Sequence, residues 1–90
     1  MMKTCILDGE KIKDREMLHN ILAEDLSLPA WYGRNLDALY DCLTDRQEET
    51  RILIKNRECL EHTMGKYVFS LMQALHRASK DNPRVQTEIL

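Results

Sequence analysis

Asp37 and Asp41 stand four residues apart in the stretch PAWYGRNLDALYDCLT, which runs from Pro29 to Thr44. On a helix that spacing puts both carboxylates on one face, about 5–6 Å apart at Cβ. A carboxylate pair held in this way can grip a cation, pair with the guanidinium of an Arg, or share general acid and base work. Trp31, Tyr32 and Gly33 precede the pair in a loop. Asn35, Leu36, Tyr40 and Thr44 lie on or beside the helix, and Asp45, Glu48 and Glu49 follow it. The plain alternative is a solvated helix face leading into an acidic loop, since the repulsion costs only about 0.2–0.5 kcal/mol. Asp37 suits the first turn, where a carboxylate favours the helix dipole. Asp41 lies too far along for that, and Asp is a poor residue in a helix interior. Aromatic residues beside charges have the composition of a protein–protein interface. On composition alone the plain reading is favoured, and the adjoining aromatics set a cationic protein partner beside it.

Other chemistries fit less well. A carboxylate pair that hydrolyses a sugar needs a cleft and a difference in burial to split its two pKa values. Two exposed acids on one short helix supply neither, so the chain is not read as an enzyme. Hard cations usually want more oxygen ligands than two. Cys59-x-x-His62 could seat half a zinc site, but no second pair has matching spacing. No metal and no cofactor is expected. The cysteines, Cys5, Cys42 and Cys59, are odd in number and lack a CxxC. They are read as free, mostly buried thiols, with Cys42 on the core side of its helix. His19, His62 and His76 are expected at surface or boundary positions.

The elements that position these residues follow from periodicity. Thr4–Leu7 is a short apolar run ended by Asp8-Gly9, a strand and turn. Asp14 can cap a helix from Arg15 to about Asp25, with Met17, Leu18, Ile21, Leu22 and Leu26 as its buried stripe. Leu28-Pro29 prevents its continuation. Asn35 can cap the second helix, whose apolar face is Leu36, Leu39, Tyr40 and Leu43. Arg51–Lys55 reads as a strand buried on both sides. Asn56 can cap a short helix through about Thr63, and Gly65 breaks the chain. A longer helix from Lys66 to Lys80 presents Tyr67, Leu71, Ala74, Leu75 and Ala78, and stops at Asn82-Pro83. Val85, Thr87 and Ile89 alternate with polar residues as a third strand. Phe69 projects off the apolar face, to reach a neighbouring helix or to form a second contact surface. Strands separated by helices predict an α/β fold, a three-stranded parallel sheet packed with about four helices.

Ninety residues make one domain, spanning 1–90. The chain is 43% hydrophobic and 31% charged with a net charge of −2. That balance argues against disorder and against generic nucleic-acid binding, which needs a basic stripe. No apolar run is long enough for a membrane. The N-terminus has an acidic pair where a signal peptide would have its apolar core. A cytoplasmic location is expected.

The pattern LP-x-x-YG-x-NLDAL-x-DCLT, spelled by Leu28 to Thr44, closely resembles the barstar family of intracellular ribonuclease inhibitors. Register and element order match along nearly all of the chain, most weakly from Asp45 to Thr50 and after Phe69. The resemblance implies the same architecture, with the first strand central. It also implies a one-to-one complex with a ribonuclease that has a basic active site. The partner-binding residues would be Trp31, Tyr32, Gly33, Asn35, Leu36, Asp37, Tyr40, Asp41, Thr44 and Asp45. In that arrangement Asp41 enters the catalytic centre, Asp37 holds a neighbouring Arg and Trp31 packs on a catalytic histidine. Gly33 lets the loop approach closely, Tyr40 is an apolar flank, and Asn35, Leu36 and Thr44 make rim contacts. Four departures stand out. Arg34 and Arg77 replace acidic residues of the family, Trp31 replaces a tyrosine, and Tyr40 a tryptophan. They keep open a second reading, a binding module on the same scaffold whose partner is not a ribonuclease.

Overall fold

A computed structural model describes residues 2–90. The elements run β1 (Lys3–Asp8), α1 (Arg15–Asp25), α2 (Leu36–Thr44), β2 (Thr50–Lys55), α3 (Arg57–Met64), α4 (Lys66–Asp81) and β3 (Val85–Ile89). All three strands pair in parallel, in the α/β arrangement that the alternation predicts.

Their order is β1-β2-β3, so the second strand is central and not the first. Two expectations fail together here, and for one reason. Both crossovers step the same way along the sheet. Because crossovers share one hand, both helix pairs land on the same face. A central β1 would have reversed the second step and covered both faces. Instead Cys5, Leu7, Ile52, Ile54 and Val85 face the helices and are buried, while Thr4 and Ile6 face outward and are exposed. Leu53, between Ile6 and Glu88 in register, is half-buried. The run Arg51–Lys55 is therefore covered on one side only.

The single core joins these strand residues to Leu18, Leu22 and Leu26 of α1, Leu39 and Leu43 of α2, and Leu60 of α3. Val68, Leu71, Leu75 and Ala78 of α4, with Ile12 and Tyr32 from the loops, complete it. Asp14 caps α1 as expected, its Oδ1 accepting from the Met17 backbone N–H at 2.8 Å. Met17, however, is exposed, and His19 takes its place in the buried stripe. The stripe is centred on Leu18 and Leu22, which leaves residue 17 on the far border and turns residue 19 inward.

Asn56 precedes α3 without capping it through its side chain. Its φ of 52° is left-handed, and its Nδ2 donates to Asp8 Oδ1 and Glu10 Oε1, at 2.8 and 3.1 Å. The residue ties β2's end to the turn after β1. Gly9 lies in the same corner. A Cβ there would stand 2.1 Å from the Asn56 carbonyl oxygen, so the close approach of two backbones requires glycine.

Candidate partner-binding site

The site is built on α2, a nine-residue helix fixed at both ends. At its start Asn35 is extended, its Oδ1 accepting from the Ala38 N–H at 2.8 Å and its Nδ2 donating to the Gly33 carbonyl at 3.2 Å. That satisfies one of the helix's orphan donors. At its end Asn82, buried at 5% exposure, donates through Nδ2 to the carbonyls of Leu43 (2.9 Å), Arg46 (3.1 Å) and Thr44 (3.4 Å). Its Oδ1 accepts from the Arg84 N–H at 3.0 Å. Asn82 thus ends α4 and also ties down the end of α2. The sequence shows only the first role.

Arg46 lies in the stretch read as an acidic loop. Its guanidinium donates to the Leu26 carbonyl at 3.0 Å and to Thr50 Oγ1 at 2.6 Å, binding the end of α1 to the start of β2.

Leu39 and Leu43 bury one face of α2, chiefly toward α4. On the opposite side Asp37 and Asp41 are both exposed. The ion pairs among the described residues are Arg51–Glu88 and Arg57–Glu61, so neither aspartate is held by an internal base. Asp45 is exposed as well.

Between α2 and α4 runs an open groove of about 460 Å³, walled by Leu36, Asp37, Tyr40 and Asp41 on one side and by Gln73 and Arg77 on the other. Tyr40 leans across it. Its hydroxyl donates to Asp81, and the Arg77 guanidinium lies 5.0 Å over its ring. The hydrogen bond to the Asp81 carboxylate, then partial burial, push the Tyr40 phenol up. Leu36 is half-buried at the groove floor.

A second hollow of about 250 Å³ lies on the other flank of Asp41, lined by Leu28, Pro29, Trp31, Cys42, Asp45 and Arg46. Trp31 is 79% exposed, so a large apolar ring stands free beside two carboxylates. Cys42 is half-buried, with its thiol pushed up first by burial and then by Asp41 and Asp45. Such a thiol is the opposite of an activated nucleophile. Cys59 is exposed, which departs from the expectation of mostly buried thiols.

Several predicted contact residues serve the scaffold. Tyr32 is buried, and its hydroxyl meets His19 Nδ1 at 2.5 Å. It anchors the loop from inside, with only 5% of its surface exposed. His19, expected near the surface, is 1% exposed, and its Nε2 meets the Tyr67 hydroxyl at 2.6 Å. Burial, then the Arg34 cation, lower its pKa from the usual 6.5. Burial likewise pushes the Tyr32 phenol up.

Thr44 is half-buried and donates to the Asp41 carbonyl at 3.1 Å, while Asn35 is committed to its cap. A Cβ on Gly33 would stand 3.1 Å from Asn35 Nδ2 and 3.3 Å from Ala38 Cβ, so its tight approach is internal. Exposed on the surface are Trp31, Gly33, Asn35, Asp37, Asp41 and Asp45, with the half-buried Leu36, Tyr40 and Thr44 beside them.

The exposed part of this one-sided α/β domain is thus an acidic helix beside a free tryptophan. Residues 2–89 match the family described as "Barstar (barnase inhibitor)", and the chain belongs to that family. It is also 35% identical, over 81 residues covering 89% of each chain, to the Bacillus subtilis (strain 168) protein described as "Putative ribonuclease inhibitor YrdF". Among the described residues no helix is long and apolar enough to cross a membrane. Among the described residues no group of three or more His, Cys, Asp or Glu is placed to hold a metal ion.

Proposed function

We propose that this chain inhibits a ribonuclease by seating α2 and the Trp31 loop in the enzyme's basic active site, one copy to one enzyme. The observation that carries the reading is Asp37 and Asp41, exposed together on a helix held at both ends and free of internal bases among the described residues. Membership of a family described as barnase inhibitors supports it, as does the description of the relative.

The mechanism is phosphate mimicry. A ribonuclease must stabilise the charge of a phosphoryl transition state, so its site presents fixed cations. Two carboxylates on a rigid helix can take the places of phosphates, form charge-assisted hydrogen bonds and resist cleavage. Asp41, between the groove and the Trp31 hollow, enters the catalytic centre. Asp37 holds a neighbouring base, and Trp31 packs on a flat side chain beside it. Opposite fields speed the encounter, which suits an antitoxin acting in the cytoplasm.

Arg77 on the far wall of the groove favours an enzyme whose rim is acidic at that point. The test is RNA cleavage by the enzyme recovered on the immobilised chain. Wild type should suppress cleavage and Asp41→Ala should not. A recovered partner that leaves RNA intact would support the binding-module reading instead.

A further inference from the structure

One buried polar cluster takes no part in the proposed complex. His19 of α1 is almost fully enclosed, and each of its ring nitrogens meets a tyrosine hydroxyl from a different element. Tyr32 belongs to the Trp31 loop, and Tyr67 to the first turn of α4. A neutral imidazole has one N–H and one bare nitrogen, so it donates to one hydroxyl and accepts from the other. Both tautomers satisfy that pattern. The imidazolium does not, because it donates at both nitrogens and leaves one hydroxyl proton without its acceptor.

The surroundings give a cation no help. The Arg34 guanidinium, from the loop, adds positive charge beside His19 and is itself held by Asn20 Oδ1. The Arg15 guanidinium, from α1, lies 4.1 Å over the Tyr67 ring. On the α2 side the titratable group that acts on Tyr32 is the Cys42 thiol. Among the described residues no carboxylate hydrogen-bonds either hydroxyl or either ring nitrogen. The loop's own fastenings near Tyr32 are few, chiefly the Tyr32 N–H to the Pro29 carbonyl at 2.9 Å.

We infer that His19 is a proton-sensitive positioning residue, whose neutral ring holds the Trp31–Gly33 loop on the body of the protein and whose protonation releases that loop while the sheet stays folded. Trp31 and Asp41 share one hollow, so the release separates the aromatic and acidic parts of the surface. The inference concerns the loop itself and stands whatever the partner is.

Amide hydrogen exchange on the free wild-type chain tests it, with rates normalised for the intrinsic effect of pH. The opening constant at Tyr32 should rise about tenfold per pH unit as pH falls below about 6.5, until His19 titrates in the closed form. Trp31, the only tryptophan, should lose fluorescence anisotropy over the same range. Ile52 in β2 should exchange more slowly than Tyr32 throughout, by a margin that shows the loop opening alone. His19→Gln should flatten the pH response, and His62→Gln should leave it intact. Should His19→Gln fail to fold, Tyr67→Phe removes one of the two fastenings and should raise Tyr32 exchange at neutral pH. Exchange of Tyr32 in step with Ile52, a flat response in wild type, or an unchanged response in His19→Gln would overturn the inference.

Discussion

Replacing Asn82 with Ala should destabilise the fold far more than its place at a helix end suggests. The last carbonyls of α2 have no intrahelical partner. Asp41's is taken by the Asp45 N–H and by Thr44 Oγ1, and Leu43's by the Arg46 N–H at 3.3 Å and by Asn82 at 2.9 Å. The Asn82 amide has only two hydrogens for three carbonyls, so the 3.4 Å contact to Thr44 is the weakest. Two effective bonds from the amide hydrogens and one from the Arg84 N–H to Oδ1, at roughly 1 kcal/mol each, give a loss of about 2–4 kcal/mol. That is a large share of the roughly 5–15 kcal/mol typical of a domain. In urea, where a small domain has a slope of about 1–2 kcal/mol per molar, the midpoint should fall by about 2 M. Asn82→Asp should be at least as damaging at neutral pH, because it places a carboxylate against carbonyl oxygens with no proton to offer. A loss below about 0.5 kcal/mol for Asn82→Ala would mean that water replaces the amide freely. The claim that Asn82 holds α2 would then fall.

Four further outcomes follow from the structure. Asp41→Ala should leave stability within about 0.5 kcal/mol of wild type, since the side chain is exposed and unpaired and its loss relieves repulsion with Asp37. Chemical denaturation checks this; a large loss would show a structural role. Gly9→Ala should cost about 3 kcal/mol or prevent folding, because the new Cβ meets backbone atoms that cannot swing away; a melting temperature near wild type would contradict the close approach. Stability should fall in mild acid: His19 has its native pKa lowered by burial, so the unfolded state binds more protons below about 6.5. The slope contributed is about 1.4 kcal/mol per pH unit until the native ring titrates, and His19→Gln should remove it. On the alkaline side burial and the Asp25 carboxylate push the Cys5 thiol up to about 12 from 9.0. Stability should therefore decline as pH rises above the unfolded value, less steeply in Cys5→Ala, with urea titrations at a series of pH values as the check.

Much of this molecule is legible before any coordinates. The caps Asp14 and Asn35 sit where the residue types place them, and all seven elements follow from period and punctuation. The sheet order is not legible, because alternation of strands and helices fixes parallel pairing and leaves the direction of each crossover open. That is why β2, apolar without a break from Ile52 to Ile54, reads as covered on both sides yet has one open face. Within the site, type and spacing find the exposed carboxylates and Trp31. They cannot separate Trp31 from its neighbour Tyr32, since two adjacent aromatics look alike until one is found bonded to His19. The buried roles of His19, Arg46 and Asn82 depend on partners 13 to 48 residues away in the chain: Tyr32 and Tyr67, Leu26, and Leu43. A helix-face argument reaches only three or four residues.

The central claim is that α2 offers a pair of carboxylates to a basic catalytic site. Its most direct test uses the ribonuclease recovered on the immobilised chain, assayed for RNA cleavage while titrated with wild type and with Asp41→Ala at two ionic strengths. Wild type should abolish cleavage at one equivalent, its association should slow as salt rises, and Asp41→Ala should fail at the same concentration. Equal inhibition by wild type and Asp41→Ala, with no response to salt, would contradict it.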